Sequence, residues 1–388
     1  MIINKINCPY RKKCGGCQLL NLSYERQLSF KQVKAIKLLG KYCHIDEIIG
    51  MENPYHYRNK VQSAFFEKKG EILSGIYQSS TKSIVAVDSC MIEDPLADEI
   101  IITIRKLLKS FKLRPYNAAT NKGFLRHVLV KRSSKTGETM VVLVTAVREF
   151  KSAAKFTNAL LSRHPEITTV VQNVNADYNG LMLGEESHIL YGDGYIEDIL
   201  CGCRFRISPK AFYQINPTGT ELLYNKALDF AGLSEDETLL DAYCGTGTIG
   251  IIAAKKVKKV VGVELNSDAV LDAITNAKIN NVKNIEFVEA DAGDFMVEAA
   301  KYSDKFDTVI MDPPRAGASL DFLHSLVTLS PEKIVYISCN PKTQSRDLSF
   351  LTRKGYKVKK IQPVDMFPHT EHVETVALLS RQKVDKHI

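Results

Sequence analysis

No stretch of this 388-residue chain approaches the roughly 18 to 20 uninterrupted apolar residues that a bilayer-spanning helix needs. The opening run, MIINKINCPYRKKC, also lacks the apolar segment of a secretion signal. Together these absences lead us to expect a cytoplasmic protein with no membrane partner. There is no internal repeat and no low-complexity segment. Nine cysteines is an odd number, and three of them, Cys8, Cys14 and Cys17, crowd together in a chain without a secretion signal. That pattern argues for metal ligands and reactive thiols over disulfides. What is present is ordinary globular composition, 45% hydrophobic and 25% charged, in a length sufficient for two domains and a large core.

The net charge of +8 is unevenly spread. Residues 1–210 hold 31 Lys and Arg against 20 Asp and Glu, whereas residues 211–388 hold 21 against 24. The basic excess therefore belongs to the front half, where a polyanion is the natural partner because cations beside phosphates release counterions. A solvated surface tuned for solubility is the competing explanation.

Residues 23–40 place Leu28, Val33, Ile36 and Leu39 at helical spacing and stop at Gly40, as an amphipathic helix should. From about residue 58 to 210 short β-branched runs such as SIVAVDSC, HVLVKR and TMVVLVTAV describe a strand-rich α+β region. After residue 211 strands and helices alternate: TLLDAY, VVGVEL, IEFVEA, DTVIMD, KIVYISC and VETVALLS read as strands of a parallel, doubly wound sheet. Ligands of such a sheet gather at the strands' carboxyl ends. The expected division is residues 1–210 and 211–388, with the hinge near Ser208-Pro209.

In the second half, Asp241-Ala-Tyr-Cys-Gly245-Thr-Gly247-Thr-Ile-Gly250 leaves a strand and opens a helix. A glycine loop alone is weak evidence. Glu264 ends the next strand, where a carboxylate accepts ribose hydroxyls, and Asp291 and Asp312 follow the third and fourth. An acid at Asp241 would repel the diphosphate of a nicotinamide dinucleotide but suits the cationic methionine part of S-adenosylmethionine. The methyl donor is therefore the favoured cofactor. Helix capping is the alternative role of Glu264 or Asp291.

Cys339 directly follows the strand Ile334–Ser338, before Asn340-Pro341 forces a turn, and Glu374 begins the last strand. A lone cysteine is more often inert packing. At a sheet's carboxyl edge, beside Asp312-Pro313-Pro314-Arg315, it fits one chemistry: methylation of uracil C5. That carbon is too weakly nucleophilic until a thiolate adds at C6, after which a base must remove the C5 proton. Cys339 fits the nucleophile and Glu374 the base. Exocyclic amino methyltransferases also carry Pro-Pro at this strand but follow it with an aromatic residue, and here Arg315 stands instead. A non-catalytic RNA-binding protein with a vestigial methyltransferase fold is the rival from another class.

Cys8, Cys14 and Cys17 need a fourth ligand, with Cys90 and Cys43 as candidates, and four thiolates suit zinc or an iron-sulfur cluster equally. Cys201 and Cys203 are expected on one strand face as structural residues, and Cys244 as packing.

Together these motifs resemble the RNA uracil-5-methyltransferases with an iron-sulfur cluster, typified by the bacterial 23S ribosomal RNA enzymes. The carriers are the cysteine loop, Tyr57-Arg-Asn-Lys60, Phe205-Arg-Ile-Ser-Pro-x-Ala-Phe-Tyr-Gln214, the glycine loop, Asp312-Pro-Pro-Arg, Ser338-Cys-Asn-Pro and His372-Val-Glu-Thr. The resemblance implies an α/β fold: a Rossmann-like methyltransferase domain with an N-terminal α+β domain that carries the cluster. It implies that Cys8, Cys14, Cys17 and Cys90 hold a [4Fe-4S] cluster. It further implies that Gln214, Tyr243, Thr248, Glu264, Asp291 and Asp312 contact S-adenosylmethionine, that Cys339 is the nucleophile and Glu374 the base. A monomer acting on RNA, ribosomal before transfer, is the expectation, with residues 20–51 packed back on the catalytic domain. Some relatives begin with an oligonucleotide-binding barrel, and only seven residues precede Cys8 here. RNA recognition is therefore expected to fall on Arg58, Lys60, Arg126, Lys131 and Arg132, with the uridine extruded before chemistry.

Overall fold

The computed structural model describes residues 8–78, 81, 83–176 and 181–382. The seven residues ahead of Cys8 thus lie outside the described part. A single turn, α1 (Arg11–Cys14), sits in the cysteine loop and stops at Gly15, whose left-handed φ of 71° turns the chain back. Helix α2 (Tyr24–Leu39) follows. It buries Gln27, Lys31, Ala35 and Leu39, whereas Val33 and Ile36 of the expected apolar face are exposed. The correction has a physical cause: α2 packs through hydrogen bonds and an ion pair, so its inward stripe is half polar.

The front half forms a seven-stranded sheet. Its elements are β1 (Lys60–Lys68), β2 (Glu71–Tyr77), β3 (Ile84–Ala86), α3 (Pro95–Ser110), β4 (Leu125–Arg132), β5 (Thr139–Thr145), α4 (Ala153–Leu161), β6 (Ile167–Val174) and β7 (Glu186–Tyr191). The spatial order is β3-β2-β1-β4-β5-β6-β7. Only β5 and β6 are parallel, joined across α4. β5 is buried at every position while the edge strand β7 alternates, as central and edge positions require. One face of this sheet packs on α3 and α4. The other face, through Leu129, Met140, Val142 and Val144, shares a core with the rest of the chain.

A hairpin of β8 (Ile196–Leu200) and β9 (Cys203–Ile207) comes next. Cys201 and Gly202 both take positive φ in its two-residue turn, so Cys201 lies outside the strand and does not share a face with buried Cys203, contrary to expectation.

The second sheet contains β10 (Thr238–Ala242), β11 (Lys259–Glu264), β12 (Ile285–Glu289), β13 (Thr308–Met311), β14 (Lys333–Ser338), β15 (Tyr356–Val364) and β16 (Glu374–Arg381). Between and before them run α5 (Pro217–Ala231), α6 (Thr248–Ala253), α7 (Ser267–Ile279), α8 (Ala292–Tyr302), α9 (Leu320–Leu329) and α10 (Pro341–Arg353). The order β12-β11-β10-β13-β14-β16-β15 reverses direction between β10 and β13, which opens a crevice above their carboxyl ends. The sheet is not wholly parallel: β16 runs antiparallel to both β14 and β15. Residues around Ile45 and Ile49 bridge to β15 and cover that edge. No helix among the described residues is long and apolar enough to cross a membrane.

Candidate active site

The glycine loop turns between β10 and α6. Tyr243 and Gly247 both take left-handed backbone, with φ of 65° and 77°. A Cβ on Gly247 would stand 2.8 Å from the tip of the Phe287 ring, so any larger residue at this left-handed position would have to push that ring aside. Asp241 stands next to last in β10, close enough to Asp312 and Glu264 to feel their charges. It is buried, and its carboxylate accepts the Gly250 N–H at 2.7 Å, which fastens α6 to β10. One of its two oxygens thus serves the scaffold.

Around this loop the structure gathers Gln214, Tyr243, Thr248 and Asp312 on one cavity, with Phe212 and Tyr224. Buried Tyr224 lines the cavity between Thr248 and Gln214, near enough for both to act on its hydroxyl. Nothing in the sequence distinguished this tyrosine from other helix residues. Glu264 ends β11, and its two oxygens accept Gly245 N–H at 3.0 Å and Asn266 N–H at 2.9 Å. The carboxylate is thereby held against the glycine loop. Asp291 lies outside the cavity lining and caps α8, accepting the N–H of Gly293 at 2.8 Å.

The nucleophile candidate and the base candidate meet because β16 is antiparallel. Ser338 of β14 pairs with Thr375 of β16, so Cys339, one residue on, and Glu374, one residue back, lie at the same end of adjacent strands. That end is the crevice edge. Asn340 divides its amide between two tasks: Oδ1 caps α10 through Lys342 N–H at 3.2 Å, and Nδ2 donates to the Arg315 carbonyl at 3.0 Å. The loop after β13 is therefore tied to the loop bearing Cys339.

The electrostatics single out the same place. Burial pushes the Glu374 carboxyl up to about 8, with Asp312 adding repulsion while Arg315 and Lys31 oppose it. Burial likewise pushes Asp312 to about 7. The Cys339 thiol is pushed to about 11 by burial and by the charges of Glu374 and Asp312, against the pull of Arg315. A cation bound beside these buried carboxyls would draw them toward their ionised forms.

Cys8, Cys14, Cys17 and Cys90 line one small cavity, together with Leu20, Ile76 and Val87. All are free thiols. Among the described residues no three His, Cys, Asp or Glu side chains are gathered closely enough to grip a single metal ion. The donor set is nonetheless all-sulfur, largely desolvated, and supplied with an N–H to sulfur bond from Gly16 to Cys14 at 3.3 Å. That chemistry fits a polynuclear iron-sulfur group. Cys43 lies elsewhere, beside His44.

Of the basic residues expected to meet RNA, Lys131 is buried and donates to the carbonyls of Ser208 and Ala211 at 2.8 and 2.9 Å, which removes it from any RNA surface. Arg132 pairs with Asp94 at 2.9 Å. Arg58 and Lys60 line a cavity of about 420 Å³.

A family model described as tRNA (uracil-5-)-methyltransferase matches residues 23–382. The chain belongs to this family. Two relatives, each named an uncharacterized RNA methyltransferase, come from Clostridium acetobutylicum and Clostridium tetani. The first is 42% identical over 98% of this chain and 84% of its own length. The second is 41% identical over 96% and 82%. Among solved structures, the tRNA (uracil-54, C5)-methyltransferase of Pyrococcus abyssi in complex with S-adenosyl-L-homocysteine is similar at a TM-score of 0.78, with 31% identity, covering 94% of this chain and 86% of that one. The α/β methyltransferase fold is thus shared along nearly the whole chain.

Proposed function

We propose that this chain methylates carbon 5 of a uridine in RNA with S-adenosylmethionine as donor, using Cys339 as nucleophile and Glu374 as base. The observation that carries the reading is the reversal of β16, which sets Glu374 beside Cys339 at the edge of the glycine-loop crevice. Bound in that crevice, the donor supplies an electrophilic methyl group. Gln214, Tyr243, Thr248, Glu264 and Asp312 would hold it, with Asp291 acting from the start of α8.

Cys339 sulfur forms a bond to C6 of the uracil, and the C5–C6 double-bond electrons move into the C4 carbonyl as an enolate. C5 then takes the methyl group, the sulfur–methyl bond of the donor breaking with its electron pair left on sulfur. Glu374 removes the C5 proton, the electrons return to form the C5–C6 double bond, and the C6–sulfur bond breaks to release the thiolate. Arg315, which draws both Cys339 and Glu374 toward their ionised forms, supports the attack.

Residues 1–210 would carry the RNA surface and a [4Fe-4S] cluster on Cys8, Cys14, Cys17 and Cys90, and residues 211–388 the transfer chemistry. The substrate we favour is 23S ribosomal RNA, on the motifs quoted above. Transfer RNA is the second reading, favoured by the similarity to the Pyrococcus enzyme.

RNA containing 5-fluorouridine tests the mechanism, since fluorine at C5 cannot leave as a proton. Wild type should form a protein–RNA adduct that survives denaturing electrophoresis. Cys339→Ala should form none and should lose methylation while still binding RNA. Full turnover by Cys339→Ala would end the proposal.

A further inference from the structure

Two cavities cross the face of the first sheet and meet. The inner one, about 420 Å³, is walled by Arg58, Lys60, Tyr77, His127 and Ile215. The outer, about 1190 Å³, takes in Arg114, Tyr116, Lys122 and Arg126 and again Tyr77 and His127. Ile215 adjoins Gln214 of the cofactor crevice, and its carbonyl accepts the Asn59 N–H at 2.9 Å. The joined cavities form a trough over β1, β2 and β4 whose inner end, at Ile215, is one residue along the chain from the crevice.

Its lining is strongly one-signed. Arg58, Lys60, Lys69, Arg114, Lys122 and Arg126 face Glu67 and Glu93. Among the described residues none of these six cations belongs to an ion pair. Unpaired cations lining a groove are a site for a polyanion. Strand β4 adds a second feature. Consecutive residues of a regular strand point to opposite faces, yet a register shift between Leu125 and His127 lets Arg126 and His127 both border the trough. Each is more than nine-tenths buried, and each keeps one nitrogen, Nε of Arg126 and Nδ1 of His127, without a partner among the described residues. The Arg126 guanidinium lies 3.6 Å above the Tyr116 ring and donates to the Ala176 carbonyl at 2.8 Å, so the aromatic platform is held rigid. Burial keeps His127 neutral, which suits hydrogen bonding to a base edge.

We propose that this trough is the track for a single-stranded stretch of RNA flanking the reactive uridine, with bases stacking by Tyr116 and phosphates meeting Arg114 and Lys122. The inference rests on the RNA-methylating reading above and assigns it a substrate form. An aromatic platform among cations favours an unpaired strand, because a duplex hides its base faces.

The test measures binding alone, by fluorescence anisotropy, with an unstructured 20-nucleotide RNA holding one uridine in polyadenylate and with the matching duplex. The single strand should bind more tightly than the duplex. Arg114→Gln/Lys122→Gln changes two exposed side chains and should weaken single-strand binding about tenfold, with the slope of log affinity on log salt shallower by about 1.4. Tyr116→Ala should weaken it by about tenfold with the slope unchanged. Tighter binding of the duplex, or unaltered affinity and slope in both variants, would overturn the track. Because no methyl transfer is read, strand binding that depends on these residues in a protein that never methylates would overturn the functional reading and leave the track standing.

Discussion

At the scale of single residues, the site holds two acids, Asp312 and Glu374, that burial pushes toward the neutral form. Glu374 can take a proton from C5 only as a carboxylate, yet its pKa is raised to about 8. The sign follows directly: below that value the group is protonated and unable to act, so the rate rises with pH. A sulfonium in the crevice favours the ionised form, so the midpoint in the working complex should fall no higher than about 8. Cys339 and Glu374 also oppose each other, since each charge disfavours the other. Adduct formation removes that conflict, because a thiolate becomes a neutral thioether just when the base must be charged. Breakdown of the methylated adduct to free RNA, followed between pH 6 and 9, should therefore speed up with pH, and breakdown that slows as pH rises would contradict Glu374 as base. Glu374→Gln should stall after methyl transfer and accumulate adduct on ordinary uridine RNA, readable on a denaturing gel.

At the scale of elements, the loop before β16 is built on α2. Lys31, fully buried, donates to Asp365 at 2.5 Å and to the Phe367 carbonyl at 3.0 Å, and Tyr24 adds a bond to Asp365 at 3.0 Å. Gln27 accepts the His369 N–H at 2.9 Å, and the His369 backbone sits at a φ of 68°. These contacts fix the segment that ends at Glu374. Lys31→Met leaves Asp365 buried and uncompensated, so it should cost about 3 to 5 kcal/mol in denaturant unfolding. The double change with Asp365→Leu should recover part of that loss. A single variant as stable as wild type would show that the pair does not hold α2 in place. The sequence made the glycine loop, Asp312-Pro-Pro-Arg and Ser338-Cys-Asn-Pro legible because each needs a turn, a proline or a reactive atom at a strand end. It did not reveal the α2 pairing, because an isolated Lys31 or Asp365 looks like any solvated charge. β15 was missed for a similar reason: YKVKKIQPV mixes lysines and a proline into its apolar alternation, and its partner is decided only in three dimensions.

At the scale of the molecule, two sheets share one apolar core, so the front half and the crevice are held as a unit. Cys8, Cys14 and Cys17 share a cavity with Cys90, which stands just before α3. A cluster there would close a long loop and act as a cross-link. By the loop-closure estimate a link spanning on the order of eighty residues contributes roughly 4 kcal/mol. It stands apart from the glycine loop, so its removal should act on stability and leave the cofactor crevice formed. Anaerobically prepared protein should be brown, with about four iron and four sulfide per chain. Air oxidation with chelation, or Cys17→Ser, should lower the unfolding temperature by several degrees while S-adenosylmethionine binding, measured by calorimetry, changes little. Stoichiometric zinc without iron would reject the cluster. Lost cofactor binding on cluster removal would show that the cluster supports the crevice as well as the N-terminal segment.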